Sequence, residues 1–189
     1  MKKIVLFASG SGTNVENIIR YFQNKNNFKV AKVFCNNPVA KVIERAQNFN
    51  ISFQVFNKEA FLNGTVLEQL NQIQPNLIVL AGFLWQFPTH IIKEYPNKII
   101  NIHPALLPNY GGKGMYGMHV HQAVLNNKEK VTGITIHYVN EHYDEGGIIF
   151  QKEITIENCQ TPQEIAAKIH SLEHHFFPQE IEKLLIHNS

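Results

Sequence analysis

Ile4-Val5-Leu6-Phe7-Ala8-Ser9-Gly10-Ser11-Gly12-Thr13-Asn14 runs from five apolar residues through two closely spaced glycines into helical periodicity. The apolar run after Met1-Lys2-Lys3 is too short for the core of a signal peptide and flows into a glycine turn, so it reads as a first strand. Val15, Ile18, Ile19 and Phe22 follow at i, i+3, i+4 and i+7, the apolar face of a helix. Thr13 and Glu16 stand at capping-box spacing and are expected to start that helix reciprocally.

The same alternation repeats downstream. Apolar runs at 28–35, 51–56, 77–81 and 99–102 read as strands, and Val66, Leu67, Leu70 and Ile73 mark a further helix face. Pro88 suits the first position of a short helix carrying Ile91 and Ile92. Strands alternating with helices imply right-handed crossovers and an α/β, doubly wound, mostly parallel sheet with a Rossmann-like N-terminal half. After His103 the pattern changes. Residues 111–117 hold four glycines and read as a mobile loop. A short helix around 122–126 follows, then strands at 131–139 and 148–154 with a loop at 140–147 between them. Thr161-Pro162-Gln163-Glu164 is a second capping box, with proline at its first helical position. Ile165, Ile169, Leu172 and Phe176 pack that last helix on the sheet. No linker or repeat divides the chain, so residues 1–189 are expected to form one domain.

Composition narrows the class. The 189 residues are 44% hydrophobic, yet no apolar run reaches the roughly 18 residues that span a bilayer. A net charge of +2 without a Lys/Arg cluster gives no reason to expect nucleic acid. Cys35 and Cys159 show neither metal nor redox spacing, which fits a cytoplasmic protein without structural disulfides. Neither His119 with His121 nor His174 with His175 places two imidazoles on one helical face, and no metal site is expected.

The glycine turn is suited to an anion, since glycines allow close backbone approach and free N–H groups at a helix start favour negative charge. A glycine pair alone is equally compatible with a tight turn that binds nothing. Val15 stands where a dinucleotide fingerprint wants a third glycine, and Cys35-Asn36-Asn37 lacks the acidic residue that would close the second strand. No Walker lysine follows. A phosphate monoester on a small substrate remains.

Asn101-Ile102-His103-Pro104 and, some forty residues later, Tyr143-Asp144-Glu145-Gly146-Gly147 place an amide, an imidazole and a carboxylate where apolar strands end or turn. Amide and imidazole can donate to a developing oxyanion, and a carboxylate nearby favours the charged imidazole. Taken singly, each has an ordinary structural role: strand-end capping for Asn101, a core histidine for His103, turn chemistry for Asp144. His137, in mid-strand, reads as structural.

Together these pieces resemble the glycinamide ribonucleotide formyltransferase family, folate-dependent enzymes of purine synthesis. The resemblance is carried by Gly10-Ser11-Gly12-Thr13-Asn14, Leu80-Ala81-Gly82-Phe83, Asn101 to Pro108 (Asn-Ile-His-Pro-Ala-Leu-Leu-Pro), and Gly133-Ile134-Thr135-Ile136-His137 running to Asp144-Glu145-Gly146. It covers nearly the whole chain and implies the formyltransferase fold, with a phosphate-binding half at about 1–100 and a folate and catalytic half at about 101–189. It also implies 10-formyltetrahydrofolate as co-substrate, glycinamide ribonucleotide as acceptor, and a monomer or weak homodimer with no nucleic-acid or membrane partner.

Residue by residue, the resemblance makes Asn101, His103 and Asp144 catalytic and gives Gly12, Thr13 and Asn14 the substrate phosphate. Glu173 would meet the ribose hydroxyls; taken alone it reads as an exposed helix charge. The folate would be lined by Leu84, Trp85, Gln86, Phe87 and Asn101 together with Asn140, Glu141, His142, Tyr143 and Asp144. Trp85 stands where many relatives have an arginine, which implies different contacts to the folate tail. The 111–117 stretch is longer than expected of the family and reads equally as a lid or as a surface insertion. The alternatives are a formyltransferase for another amine, a formyltetrahydrofolate hydrolase, an NAD oxidoreductase and a non-catalytic nucleotide binder.

Overall fold

In the computed structural model, which describes residues 1–187, seven strands form one sheet in the order β3-β2-β1-β4-β5-β6-β7. The strands are β1 (Lys2–Ala8), β2 (Phe28–Cys35), β3 (Phe53–Val55), β4 (Leu77–Leu80), β5 (Ile99–His103), β6 (Val131–Tyr138) and β7 (Ile148–Thr155). The helices are α1 (Thr13–Phe22), α2 (Lys41–Asn48), α3 (Lys58–Leu62), α4 (Thr65–Ile73), α5 (Thr89–Glu94), α6 (Met118–Asn126) and α7 (Pro162–His187). Strands β1 to β5 pair in parallel, whereas β5–β6 and β6–β7 are antiparallel. The expected α/β architecture is the one observed.

Period two divides the core. Ile4, Leu6 and Ala8 join Val15, Ile18 and Phe22 of α1 and Ile169 and Phe177 of α7 on one face. Val5 and Phe7 join Phe61 of α3, Leu70 of α4 and Ile91 of α5 on the other. That second face is rich in rings. Phe7 stacks on Phe34 at 4.9 Å between centroids, and Trp85 sits edge-on to Phe56 at 6.0 Å.

Local chemistry corrects two of the expected caps. α1 is capped by Gly12, not by a Thr13–Glu16 box, and no side chain bonds the cap. Arg20, 2.8 Å from Glu16, and Arg45, also paired with it, draw its carboxylate outward, because full charges outcompete a backbone N–H. Pro88 is the extended N-cap of α5 rather than its first helical residue. The Thr161–Glu164 box does form, with Thr161 N donating to Glu164 Oε2 at 3.0 Å and Glu164 N to Thr161 Oγ1 at 3.3 Å.

α7 continues through Pro178 for 26 residues. Proline lacks the N–H that would satisfy the carbonyl four residues earlier. Asn17 of α1 supplies it instead, its Nδ2 donating to His174 O at 2.7 Å. The proline therefore ties α7 to α1.

Candidate active site

A cavity of about 630 Å³ opens along the carboxyl ends of β1, β4 and β5, where doubly wound sheets hold their ligands. Its floor begins at the glycine loop. Gly12 has φ +73, and a Cβ there would lie 2.5 Å from Val42 Cγ2, so the turn admits only glycine. α2 braces the loop: Val42 N donates to Gly10 O at 3.2 Å and Arg45 Nε to Ser11 O at 2.8 Å. Ser9 ties the loop to the next wall, its N–H donating to Gly82 O and its hydroxyl accepting from Leu84 N, both at 3.0 Å.

Gly12, Thr13 and Asn14 line this cavity, as do Leu84, Trp85, Gln86 and Phe87, Asn101 and His103, Asn140, His142, Tyr143 and Asp144, and Glu173. Glu141 is the exception among the expected site residues: it does not line the cavity. Its backbone carbonyl accepts Gln86 Nε2 at 2.6 Å and so joins the 84–87 segment to the β6–β7 loop. That loop folds back tightly enough that a Cβ on Gly146 would lie 1.7 Å from Tyr138 O.

Where the glycine loop meets α7, Asn14 Nδ2 donates to Glu173 Oε2 at 2.9 Å across 159 residues. Glu173 is not the exposed helix charge of the ordinary reading but is buried. Burial raises its carboxyl above the usual range, with the Asn14 amide and nearby His170 pulling the other way. Lys113 is the only lysine or arginine lining the cavity among the described residues, so a phosphate there would meet backbone N–H groups and the α1 dipole first.

At the carboxyl end of β5, three side chains meet a fourth that the sequence reading sets aside. His103 Nδ1 lies 3.5 Å from Asp144 Oδ2, and Gly112 N donates to the same oxygen at 2.9 Å. The other carboxylate oxygen lies 3.5 Å from His137 Nε2. His137 Nε2 is 3.1 Å from Asn101 Nδ2, and its Nδ1 faces Tyr138 O at 2.9 Å. His137 thus belongs to the site. Asn101 and His137 are register partners across β5 and β6, a pairing that only the fold creates.

The charge state of His103 also needs correction. From the sequence, Asp144 is expected to hold the imidazole protonated. Burial pushes His103 below its ordinary value and outweighs the pull of Asp144 and of the Tyr110 carbonyl. Burial by itself would raise Asp144, but His137, His103 and the Gly112 amide together leave it below the usual carboxylate range. The resting pair is a neutral imidazole beside a carboxylate.

Two more histidines reach the cavity without a signal in the sequence. His121 of α6 is buried with Nδ1 unpartnered, and burial, then the charges of His170 and His103, lower it to about 4. His170 of α7 also lines the cavity and stacks with His174 one turn on. Among the described residues, no group of three or more His, Cys, Asp or Glu side chains is disposed to hold a metal, and no helix is long and apolar enough to cross a membrane.

The chain is similar to known proteins. Residues 2–181 match the family described as formyl transferase. The phosphoribosylglycinamide formyltransferase of Bacillus subtilis is 40% identical, over 98% of this chain and 95% of that protein. Its Escherichia coli namesake is 29% identical, over 93% of this chain and 83% of its own length. The crystal structure of glycinamide ribonucleotide transformylase 1 from Geobacillus kaustophilus superposes with a TM-score of 0.89 at 33% identity, over 98% of this chain and 99% of that one.

Proposed function

The chain belongs to the formyl transferase family, and from that premise we propose that it transfers the formyl group of 10-formyltetrahydrofolate to the primary amine of glycinamide ribonucleotide. One observation carries the choice of acceptor: the Asn14–Glu173 hydrogen bond joins an anion-suited glycine loop to a buried carboxylate in the cavity that holds Asn101, His103 and Asp144. A phosphate and a ribose diol need those two neighbours. A hydrolase acting on water, or a transferase for an unphosphorylated amine, would have no use for them.

The amine nitrogen attacks the formyl carbon, a C–N bond forms, and the carbonyl electron pair moves onto oxygen. Asn101 uses one amide hydrogen on His137 and keeps the second for that oxyanion. The amine nitrogen then sheds a proton to the His103–Asp144 pair. His103 Nε2 faces the Tyr110 carbonyl at 2.7 Å, and a carbonyl only accepts, so Nε2 carries the hydrogen and Nδ1 presents a lone pair to Asp144 Oδ2. Two acceptors 3.5 Å apart gain by capturing a proton between them, which makes the pair a base. Collapse of the intermediate breaks the bond from carbon to N10, and N10 takes a proton as tetrahydrofolate leaves. The proton lost by the amine balances the one gained by N10.

No side-chain nucleophile is required, and among the described residues no cysteine lines the cavity. Holding donor and acceptor in contact supplies much of the acceleration. Leu84, Trp85, Gln86 and Phe87 with the 140–144 loop receive the folate; Glu141 acts through its backbone tie to Gln86. We read the protein as a monomer or weak homodimer acting in the cytoplasm as a single domain.

An absorbance assay of donor deformylation, with 10-formyl-5,8-dideazafolate and with or without glycinamide ribonucleotide, tests this reading. Strict dependence on the ribonucleotide is expected. Deformylation without it would make the chain a hydrolase.

A further inference from the structure

We infer that Tyr110, anchored through its hydroxyl by Glu129 and Asn127, is a positioning residue that sets the tautomer of His103. This rests on the assignment of His103 and Asp144 as the proton-accepting pair.

Tyr110 is one of six non-glycine residues with positive φ among the described residues, at +58, and so is Asp144, also at +58. A left-handed backbone at a tyrosine persists only where its surroundings hold it there. Here the hold is visible. Tyr110 Oη donates to Glu129 Oε1 at 2.6 Å and accepts from Asn127 Nδ2 at 2.8 Å, both in the turn between α6 and β6. The ring packs against the core. With both ends fixed, the Tyr110 carbonyl points at His103 Nε2, 2.7 Å away.

The next two residues complete a strap across the catalytic pair. Gly111 passes so close that a Cβ would lie 2.5 Å from Leu107 Cδ2 and 3.3 Å from Asp144 Cβ. Gly112 N then donates to Asp144 Oδ2. Three successive residues therefore hold the far side of the imidazole and the near oxygen of the carboxylate. The nitrogen of histidine that carries hydrogen is set by the bond the other makes. Without the strap, Nδ1–H would turn to Asp144, satisfy the carboxylate, and remove the vacancy into which the amine proton moves. The titratable groups facing His103 are Asp144 from the β6–β7 loop, His137 from β6 and His121 from α6. The hydrogen-bond partner of Nε2 is the Tyr110 carbonyl.

The test combines Tyr110→Phe, Glu129→Ala and Glu129→Gln. Tyr110→Phe keeps the packed ring; Glu129 is exposed, so its variants leave the core intact. Two-bond 15N–1H spectra of the imidazoles at pH 8 should show the Nε2–H tautomer for His103 in the wild type and a mixture with Nδ1–H in Tyr110→Phe and Glu129→Ala. In the same two variants kcat should fall fivefold to tenfold, with both KM values within twofold. The acid limb of the kcat profile should move to lower pH, because the carbonyl no longer supports the doubly protonated ring. Glu129→Gln, which keeps an acceptor for the tyrosine hydroxyl, should behave as wild type. An Nδ1–H tautomer in the wild type, spectra unchanged by Tyr110→Phe, or equal losses in Glu129→Ala and Glu129→Gln would overturn the inference. The tautomer is read without turnover, so a chain that failed to transfer formyl groups at all would refute the activity and not this point.

Discussion

His137 Nε2 lies 3.5 Å from Asp144 Oδ1, on the carboxylate oxygen that His103 does not face. A histidine thus flanks each carboxylate oxygen; burial alone would raise Asp144, and the two histidines with the Gly112 amide lower it. His137→Leu removes the contact and frees the Asn101 amide it now engages. Asp144 should then bind its proton more tightly, so the acid limb of the kcat profile should move to higher pH. Turnover should fall about tenfold, the scale of one lost hydrogen bond holding the Asn101 amide in place. A profile superimposable on wild type would remove His137 from the site.

Gly12→Ala tests the glycine loop. The new Cβ would meet Val42 in a backbone region that only glycine enters freely. A stability loss of about 1–3 kcal/mol is expected by denaturant unfolding. The KM for the ribonucleotide should rise while that for the folate stays near its starting value. An equal rise in both would mean that the loop supports the whole cavity rather than the phosphate.

Glu173→Gln keeps shape and removes charge. The Asn14 bond can persist, but the hydroxyls of a ribose lose a charged acceptor, worth about 1.5–3 kcal/mol. The KM for the ribonucleotide should therefore rise about tenfold to a hundredfold, with kcat changed far less. A purely structural Glu173 would show lowered stability with an unaltered KM in the folded fraction.

Stability should fall in acid before the carboxylates titrate. His121 is held neutral in the fold, its value lowered from 6.5 to about 4. Its contribution is complete above pH 6.5 and is lost as pH falls from there toward 4, because the unfolded chain binds the proton first. The loss reaches about 3 kcal/mol for this group alone. Urea unfolding at pH 7.5 and 4.5 should show it, and His121→Leu should flatten the difference. His103 and His174, lowered in the same direction, would leave a residual slope.

The legible parts of the chain were those with a local cause. β1 announces itself as a continuous apolar run and β2 as an apolar stretch broken only by Lys29 and Lys32, and the α7 box forms at the expected residues. α2 leaves no clear apolar period in the sequence because it buries only Val42 and Ala46, two positions one turn apart. The false cap at α1 had the right spacing, but Arg45, twenty-nine residues away, claims the carboxylate. The site divides in the same way. Asn101, His103 and Asp144 occupy strand ends and a turn, where reactive side chains can be expected. His137 becomes functional only because the β5–β6 register sets it opposite Asn101, and His121 and His170 only because α6 and α7 bring them to one cavity. Tertiary convergence leaves no periodic trace in a sequence.

Steady-state turnover of Asp144→Asn, alongside ligand affinity read from the fluorescence of Trp85, the single tryptophan, bears most directly on the proton-accepting pair. The amide fills the same space and cannot take the proton. A fall in kcat of about a thousandfold, with both substrates binding within threefold of wild type, is the expected result. Turnover within tenfold of wild type in a folded variant would contradict the account.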